Sequence, residues 1–388
     1  MKNKLFIVIF VFLPLIEAVS QEKVPPGVVI NHIPKSAEKY IGSPSICILP
    51  NGDYIASHDE FGPKSTEYKS AITNIFKSTD KGNTWEKIAR INGQFWSNLF
   101  VHNEVLYIMG TNKHHGNLVI RKSLDGGKTW TIPYDNKNGL ILEGEYHTAP
   151  VPVVIHKGRI WRAVEYATAK TTKWGERYSA MVVSAPVNAD MLDAKSWRAS
   201  NKLSFNSGYL NGEFRAWLEG NVVVTKEGKV VDILRVHAPN LQDEYCAVVD
   251  VEKKGKRLSF NKDNFFRMPG AAKKFTIRYD KQSDKYWSIV NYIPDEYKHL
   301  PNNMVRNCQA LVSSSGLKEW KIEKILLQHQ DIEHHGFQYV DWEVEDDDIV
   351  FVLRTAYDDA EGGANNYHDA NYITFHRIEN FRLVSVTE

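Results

Sequence analysis

Cysteine is scarce: Cys47, Cys246 and Cys308 are the only three in 388 residues, each inside a hydrophobic, strand-like run. An odd count without metal-ligand spacing supplies neither a disulfide framework nor a zinc site, so buried free thiols are expected. The fold must then be held by its core, which a chain of this length buries easily. An excess of one charge is also lacking. Lys and Arg number 48 against 47 Asp and Glu, with no basic run or stripe, which argues against nucleic acid and anionic membrane as partners. Helical periodicity is almost absent beyond a short turn at Asn188 to Leu192, and no Pro, Gly or Ser-rich linker interrupts the chain. One all-β domain over residues 21–388 is expected. The apolar run Leu5 to Ile16 is shorter than the roughly 20 residues of a spanning helix. It follows Lys2 and Lys4 and precedes Ala18-Val-Ser20, so residues 1–20 read as a signal peptide and the protein as a secreted or periplasmic monomer not inserted in a membrane.

What is abundant is aromatic and repetitive. Ten Trp and eighteen Tyr exceed what a core needs and suit the flat apolar faces of sugars. Ser78-Thr-Asp80-Lys-Gly82-Asn-Thr84-Trp85 returns as Ser123-Leu-Asp125-Gly-Gly127-Lys-Thr129-Trp130, two copies of S-x-D-x-G-x-T-W. In such an octapeptide the carboxylate caps amides of its own turn, Gly supplies positive φ and Trp packs the turn on the sheet. Asp80 and Asp125 are therefore structural. Decayed copies stand at Asp193 to Trp197 and Ser313 to Trp320. Six hairpin units with period-two patterning can be counted, and a repeated four-strand unit is the signature of a propeller blade. Further strand material at Val28 to Ile33, Leu258 to Met268 and Phe381 to Val386 would serve a seventh blade or a ring closure.

In a propeller, polar residues at inner-strand ends face a central funnel. His115, His147, Arg177, Arg235, Arg278 beside Tyr279, His334-His335 and Tyr367-His368 occupy such places in successive units. Each alone reads most simply as a solvated or hydrogen-bonded strand end. Together, arginines from several blades would leave uncompensated charge in one funnel unless an anion met them, which implies an acidic ligand.

The octapeptide repeat resembles the Asp-box of sialidase-like β-propellers. The phrases Gly42-Ser-Pro-Ser-Ile, Ser57-His58-Asp59-Glu-Phe61-Gly-Pro63, Tyr146-His147-Thr-Ala-Pro, Gly158-Arg-Ile-Trp161-Arg and Tyr367-His368-Asp-Ala-Asn-Tyr take the resemblance further. They are similar to secreted bacterial propeller enzymes that release terminal L-rhamnose from glucuronic acid in arabinogalactan glycans, described as α-L-rhamnosidases and rhamnose-glucuronate lyases. That family, related to propeller ulvan lyases, implies seven blades, an acidic plant-type glycan as partner and no cofactor. For elimination it implies His115 as base, Arg177 and Arg235 on the carboxylate, and His147 or Tyr178 assisting. Trp161 and Trp217 stand where related lyases use Tyr. For hydrolysis it implies His58, on the opposite face. Arg278, Tyr279, His335, Tyr367 and His368 complete the expected substrate contacts.

Two rivals remain on sequence. An exo-sialidase would share the boxes and the arginines, but its Arg-Ile-Pro is here His32-Ile33-Pro34 and no Tyr-Glu nucleophile pair is evident. A non-catalytic propeller gripping an acidic glycan would need the same cations and aromatics. No dedicated metal motif exists, and the paired His114 and His115 alone leave Zn²⁺ or Ca²⁺ open.

Overall fold

The computed structural model describes residues 24–168 and 170–384. The expected signal peptide at residues 1–20 lies outside the described residues. Among these no α-helix occurs, only short 3₁₀ turns, and no helix is long and apolar enough to cross a membrane. The alternating runs pair as expected into antiparallel sheets.

Four-stranded units follow one another along the chain. Blade I holds Tyr54–Phe61, Ile72–Ser78 and Glu86–Asn92, with Ser45–Ile48 and Tyr40–Ile41 both on the first of these. Blade II runs Phe95–His102, Val105–Thr111, Gly116–Ser123 and Leu140–His147. Blade III runs Val154–His156, Arg159–Tyr166, Ser179–Pro186 and Arg198–Ala199, and joins blade II where Tyr146 and His147 pair with Tyr166 and Glu165. Blade IV runs Ala216–Val224, Val230–His237 and Tyr245–Glu252, edged by Arg257–Ser259 and Phe265–Arg267. Blade V runs Thr276–Asp280, Lys285–Asn291, Cys308–Ser314 and Lys321–Gln328. Blade VI takes Gly336–Glu345, Asp348–Ala356 and Tyr372–Ile378, and its fourth strand is the N-terminal Val28–His32.

This is a six-bladed propeller, so the seven blades implied by the resemblance are corrected. The reason is in the packing. Six apolar cores lie between consecutive blades, and the last joins Ile30, Val350, Val352 and Phe375 of blade VI to Ile46, Tyr54 and Phe76 of blade I. The ring is already closed. The spare strand material closes blade VI (Val28–His32) and edges blade IV, while Phe381–Leu383 is a 3₁₀ turn. The three cysteines are free and buried in strands.

The octapeptides form the turns between the third and fourth strands of blades I and II. Asp80 accepts from Thr84 N at 2.9 Å and Thr84 Oγ1 at 2.6 Å, Ser78 Oγ accepts from Gly82 N at 2.9 Å, and Trp85 Nε1 donates to Gly82 O at 3.1 Å. The second copy repeats this, with Thr129 N to Asp125 at 2.9 Å and Trp130 Nε1 to Gly127 O at 2.9 Å. Those hydrogen bonds hold both carboxyls down at about 2. The blade V turn keeps the Ser and Trp bonds without the Asp, with Leu317 N to Ser314 Oγ at 2.9 Å and Trp320 Nε1 to Leu317 O at 3.1 Å.

Candidate functional site

A cavity of ≈ 590 Å³ opens at the hub and takes side chains from every blade. The inner strands reach it through an irregularity that recurs on alternate blades. Register shifts interrupt Phe95/Asn98 in blade II, Leu218/Asn221 in blade IV and Gln338/Asp341 in blade VI. At each shift a non-glycine residue takes left-handed φ: Trp96 at 48°, Glu219 at 58° and Tyr339 at 57°. A bulge re-aims a side chain at a local cost, and strained backbone of this kind clusters at functional sites. All three residues line the cavity. Each bulge is fixed by the preceding blade: Trp96 N donates to Asp59 Oδ2 at 2.7 Å, Gly220 N to Glu165 Oε1 at 3.1 Å, and Thr276 Oγ1 to Val340 O at 2.9 Å.

One wall is cationic. Arg235 is buried and paired with Glu219 at 2.9 Å, while its Nε donates to Ala272 O at 2.9 Å. Burial raises the Glu219 carboxyl, but Arg235, His147 and Arg306 together outweigh it and keep it below the usual range. The Tyr339 phenol stands against the same guanidinium. Arg306 and Arg354 are equally buried, yet neither forms an ion pair among the described residues. They share the neutral Gln338 Oε1 at 2.7 and 3.3 Å, and Arg354 Nε has no partner. Gln338 presents its oxygen because its Nε2 donates to the carbonyls of Tyr367 and His368. The Arg354 guanidinium lies over the Tyr339 ring at 4.1 Å and the Phe61 ring at 5.3 Å. Burial lowers the Arg354 pKa to about 10, so it stays charged at neutral pH.

The opposite wall is imidazole and aromatic. Trp96 packs on His114 and His147 with centroids 4.7 and 4.5 Å apart. His115, at φ 47°, places Nε2 3.2 Å from the Tyr178 hydroxyl, and His147 Nδ1 lies 2.8 Å from Glu165 Oε2. Burial, then His147, His114 and Arg177, push His115 down to about 2. Burial and neighbouring arginines hold His237 and His368 at about 4, while burial raises Tyr178. The cavity is therefore electropositive, and His115, His237 and His368 within it are neutral at pH 7, which suits an anion beside a proton acceptor.

The structure brings His115, His147, Arg177, Tyr178, Arg235, Tyr367 and His368 together in this cavity. Other expected contacts lie elsewhere. His58 is fully buried, its ring bonded to Asp59 O and Asn31 at 2.9 Å each, so it meets no open face. Trp161 and Trp217 pack in the core between blades III and IV. Arg278 pairs with Glu343 at 2.7 Å in a separate outer cleft that also holds the exposed Tyr279. His335 stacks on His329 at 3.6 Å and faces Asp331, outside the cavity lining. Trp96, Glu219 and Tyr339 escape sequence reasoning because no motif announces a bulge, and Arg306 and Arg354 because neither stands in a phrase that marks a site. Gln338-Tyr339 after His335-Gly336 was the nearest signal.

No family model matches the chain, and no curated protein does. Solved structures do. An α-L-arabinanase of Penicillium chrysogenum complexed with arabinobiose is 14% identical with TM-score 0.56, over 92% of this chain and 98% of that one. A protein of unknown function from Dyadobacter fermentans is 13% identical with TM-score 0.58, over 92% and 100%. Trypanosoma rangeli sialidase, complexed with sialic acid, is 13% identical with TM-score 0.51, over 87% and 54%. At such identity the likeness shows the fold, a sialidase-like β-propeller, and nothing finer.

Proposed function

We propose that this protein is a secreted carbohydrate-active enzyme whose hub cavity binds a uronate and releases the sugar attached to it. Terminal L-rhamnose on glucuronate in arabinogalactan-type glycans is the substrate that the resemblance in sequence favours. The observation that carries the reading is the buried Arg306 and Arg354 pair, which has only a neutral amide between its guanidiniums. Buried cations without a carboxylate are costly, and a bound carboxylate offsets that cost through charge-assisted hydrogen bonds. The propeller fold is shared with an arabinanase and a sialidase, which agrees with action on a glycan.

By elimination, the guanidiniums take up the charge that builds on the carboxylate as the C5 proton leaves. That proton passes to the imidazole wall, the C4–O bond breaks, a C4=C5 double bond forms, and the departing oxygen takes the Tyr178 proton. Arg177 and Arg235 frame the same space, Arg235 setting Glu219 and Tyr339 in place. Hydrolysis is the second reading, favoured by Tyr339 and Glu219 meeting on Arg235. The Arg-Ile-Pro position of a sialidase supplies no guanidinium: His32 is tied to Asp359 at 2.9 Å in the outer strand of blade VI.

Incubation with rhamnose-capped arabinogalactan tests the proposal. Free rhamnose with new ultraviolet absorbance of an unsaturated uronate is expected. Free rhamnose without it moves the reaction to hydrolysis, and free sialic acid from a sialoglycan moves the substrate. Retention on the glycan without product would overturn the enzyme reading and leave a binding module.

A further inference from the structure

Glu165 is a buried carboxylate that the cavity chemistry above does not use, and its two oxygens bridge a blade boundary. Oε2 lies 2.8 Å from His147 Nδ1, and Oε1 accepts from Gly220 N at 3.1 Å. The first holds an imidazole of blade II, and the second holds the bulge that turns Glu219 toward Arg235. Asp232 lies beneath. A Cβ on Gly220 would come within 2.3 Å of its Oδ1, and neither Asp232 oxygen has a hydrogen-bond donor among the described residues.

We propose that Glu165 is a positioning residue that makes His147, rather than His115, the proton acceptor of the cavity; this rests on reading the cavity as a site of proton transfer. Burial, and after it the Glu165 charge, raise the Asp232 carboxyl well above its usual range. Gly220 N donates to Glu165 while Asp232 has no donor among the described residues, so Asp232 keeps its proton and Glu165 is the anion. A carboxylate only accepts, so His147 carries its proton on Nδ1 and leaves Nε2 with a lone pair. The other groups around that ring are Trp96, His115 and Tyr178, and the further carboxylate near it, Glu219, is already paired with Arg235. When Nε2 takes a proton, the imidazolium formed already has its counter-charge in Glu165. Among the described residues His115 has no carboxylate partner, it contacts the Tyr178 hydroxyl, and burial with its basic neighbours lowers its basicity. Its part is to orient Tyr178.

Long-range ¹⁵N–¹H spectra of the ring nitrogens test the assignment together with Glu165→Gln and Glu165→Asp. The wild type is expected to show His147 as the Nδ1–H tautomer. In Glu165→Gln the amide oxygen stays with Gly220 N and the NH₂ faces Nδ1, so the proton moves to Nε2 and kcat on rhamnose-capped arabinogalactan falls roughly 10²- to 10⁴-fold. Glu165→Asp keeps the charge and the Nδ1–H form. A wild-type Nε2–H tautomer, or a Glu165→Gln enzyme with unchanged tautomer and kcat, overturns the proposal. If Glu165→Gln does not fold, the wild-type and Glu165→Asp spectra decide. If the wild type turns over no acidic glycan, the functional reading falls while the tautomer still decides what Glu165 does.

Discussion

At the scale of single residues, the cavity carries positive charge that folding does not require. Arg235 has Glu219, but Arg354 has only Gln338 and two aromatic faces. Arg354→Leu should therefore leave the thermal midpoint unchanged or raise it, because a buried unpaired cation is replaced by an apolar side chain. Affinity for an acidic saccharide should fall by about 10- to 100-fold, the worth of about 1.5–3 kcal/mol for charge-assisted hydrogen bonds, with neutral sugars little affected. Titration calorimetry with glucuronate-terminated and neutral oligosaccharides reads both. The same titration at pH 5 should show proton uptake. Burial and nearby arginines hold His237 and His368 at about 4, so at pH 5 both are mostly neutral, and an arriving anion raises them toward protonation. A heat independent of buffer ionisation would show that the anion binds elsewhere.

At the scale of elements, the inner-strand bulges decide what was legible. The hairpins were, since alternation and Gly-containing turns mark them, and so were polar residues at strand ends such as His115, His147 and Arg235. Trp161 and Trp217 were misplaced because alternation does not say which face meets the hub. The shift after Leu218 compounds this, as a slip of one residue exchanges the faces. Trp96, Glu219 and Tyr339 stayed hidden for the same reason, because their direction is set by left-handed φ and not by period. Gly220 shows how little room such a bulge has. In Gly220→Ala the new Cβ meets a buried carboxyl, so a loss of about 1–3 kcal/mol in denaturant unfolding is expected. Displacing Glu219 should also loosen its pairing with Arg235 and weaken acidic-sugar binding. Unchanged stability together with unchanged binding would mean that the blade IV bulge does not set the site.

At the scale of the whole molecule, the site exists only because the ring closes. Six blades each contribute to the cavity, and Arg354 of blade VI stands beside Phe61 of blade I across the seam. Two devices hold that seam. Val28–His32 pairs with Tyr372–Ile378, so the first described strand completes the last blade, and Asp341 of blade VI accepts from Ser45 Oγ at 2.6 Å and Ile46 N at 3.1 Å in blade I. The strand also brings Ile30 into the core between blades VI and I, and His32 onto Asp359 and the Tyr372 ring. A chain that begins at Pro34 loses the strand, leaves the Tyr372–Ile378 edge open and exposes that core. Its acid-sugar binding should fall more steeply than its β-sheet content, because the cavity needs the seam while blades II to V keep their own cores. Far-ultraviolet circular dichroism and glucuronate binding, measured on the same preparation, separate the two. Adding back a peptide of residues 24–33 should recover binding by strand addition. Full binding by the shortened chain without the peptide would show that the Asp341 contacts alone close the ring.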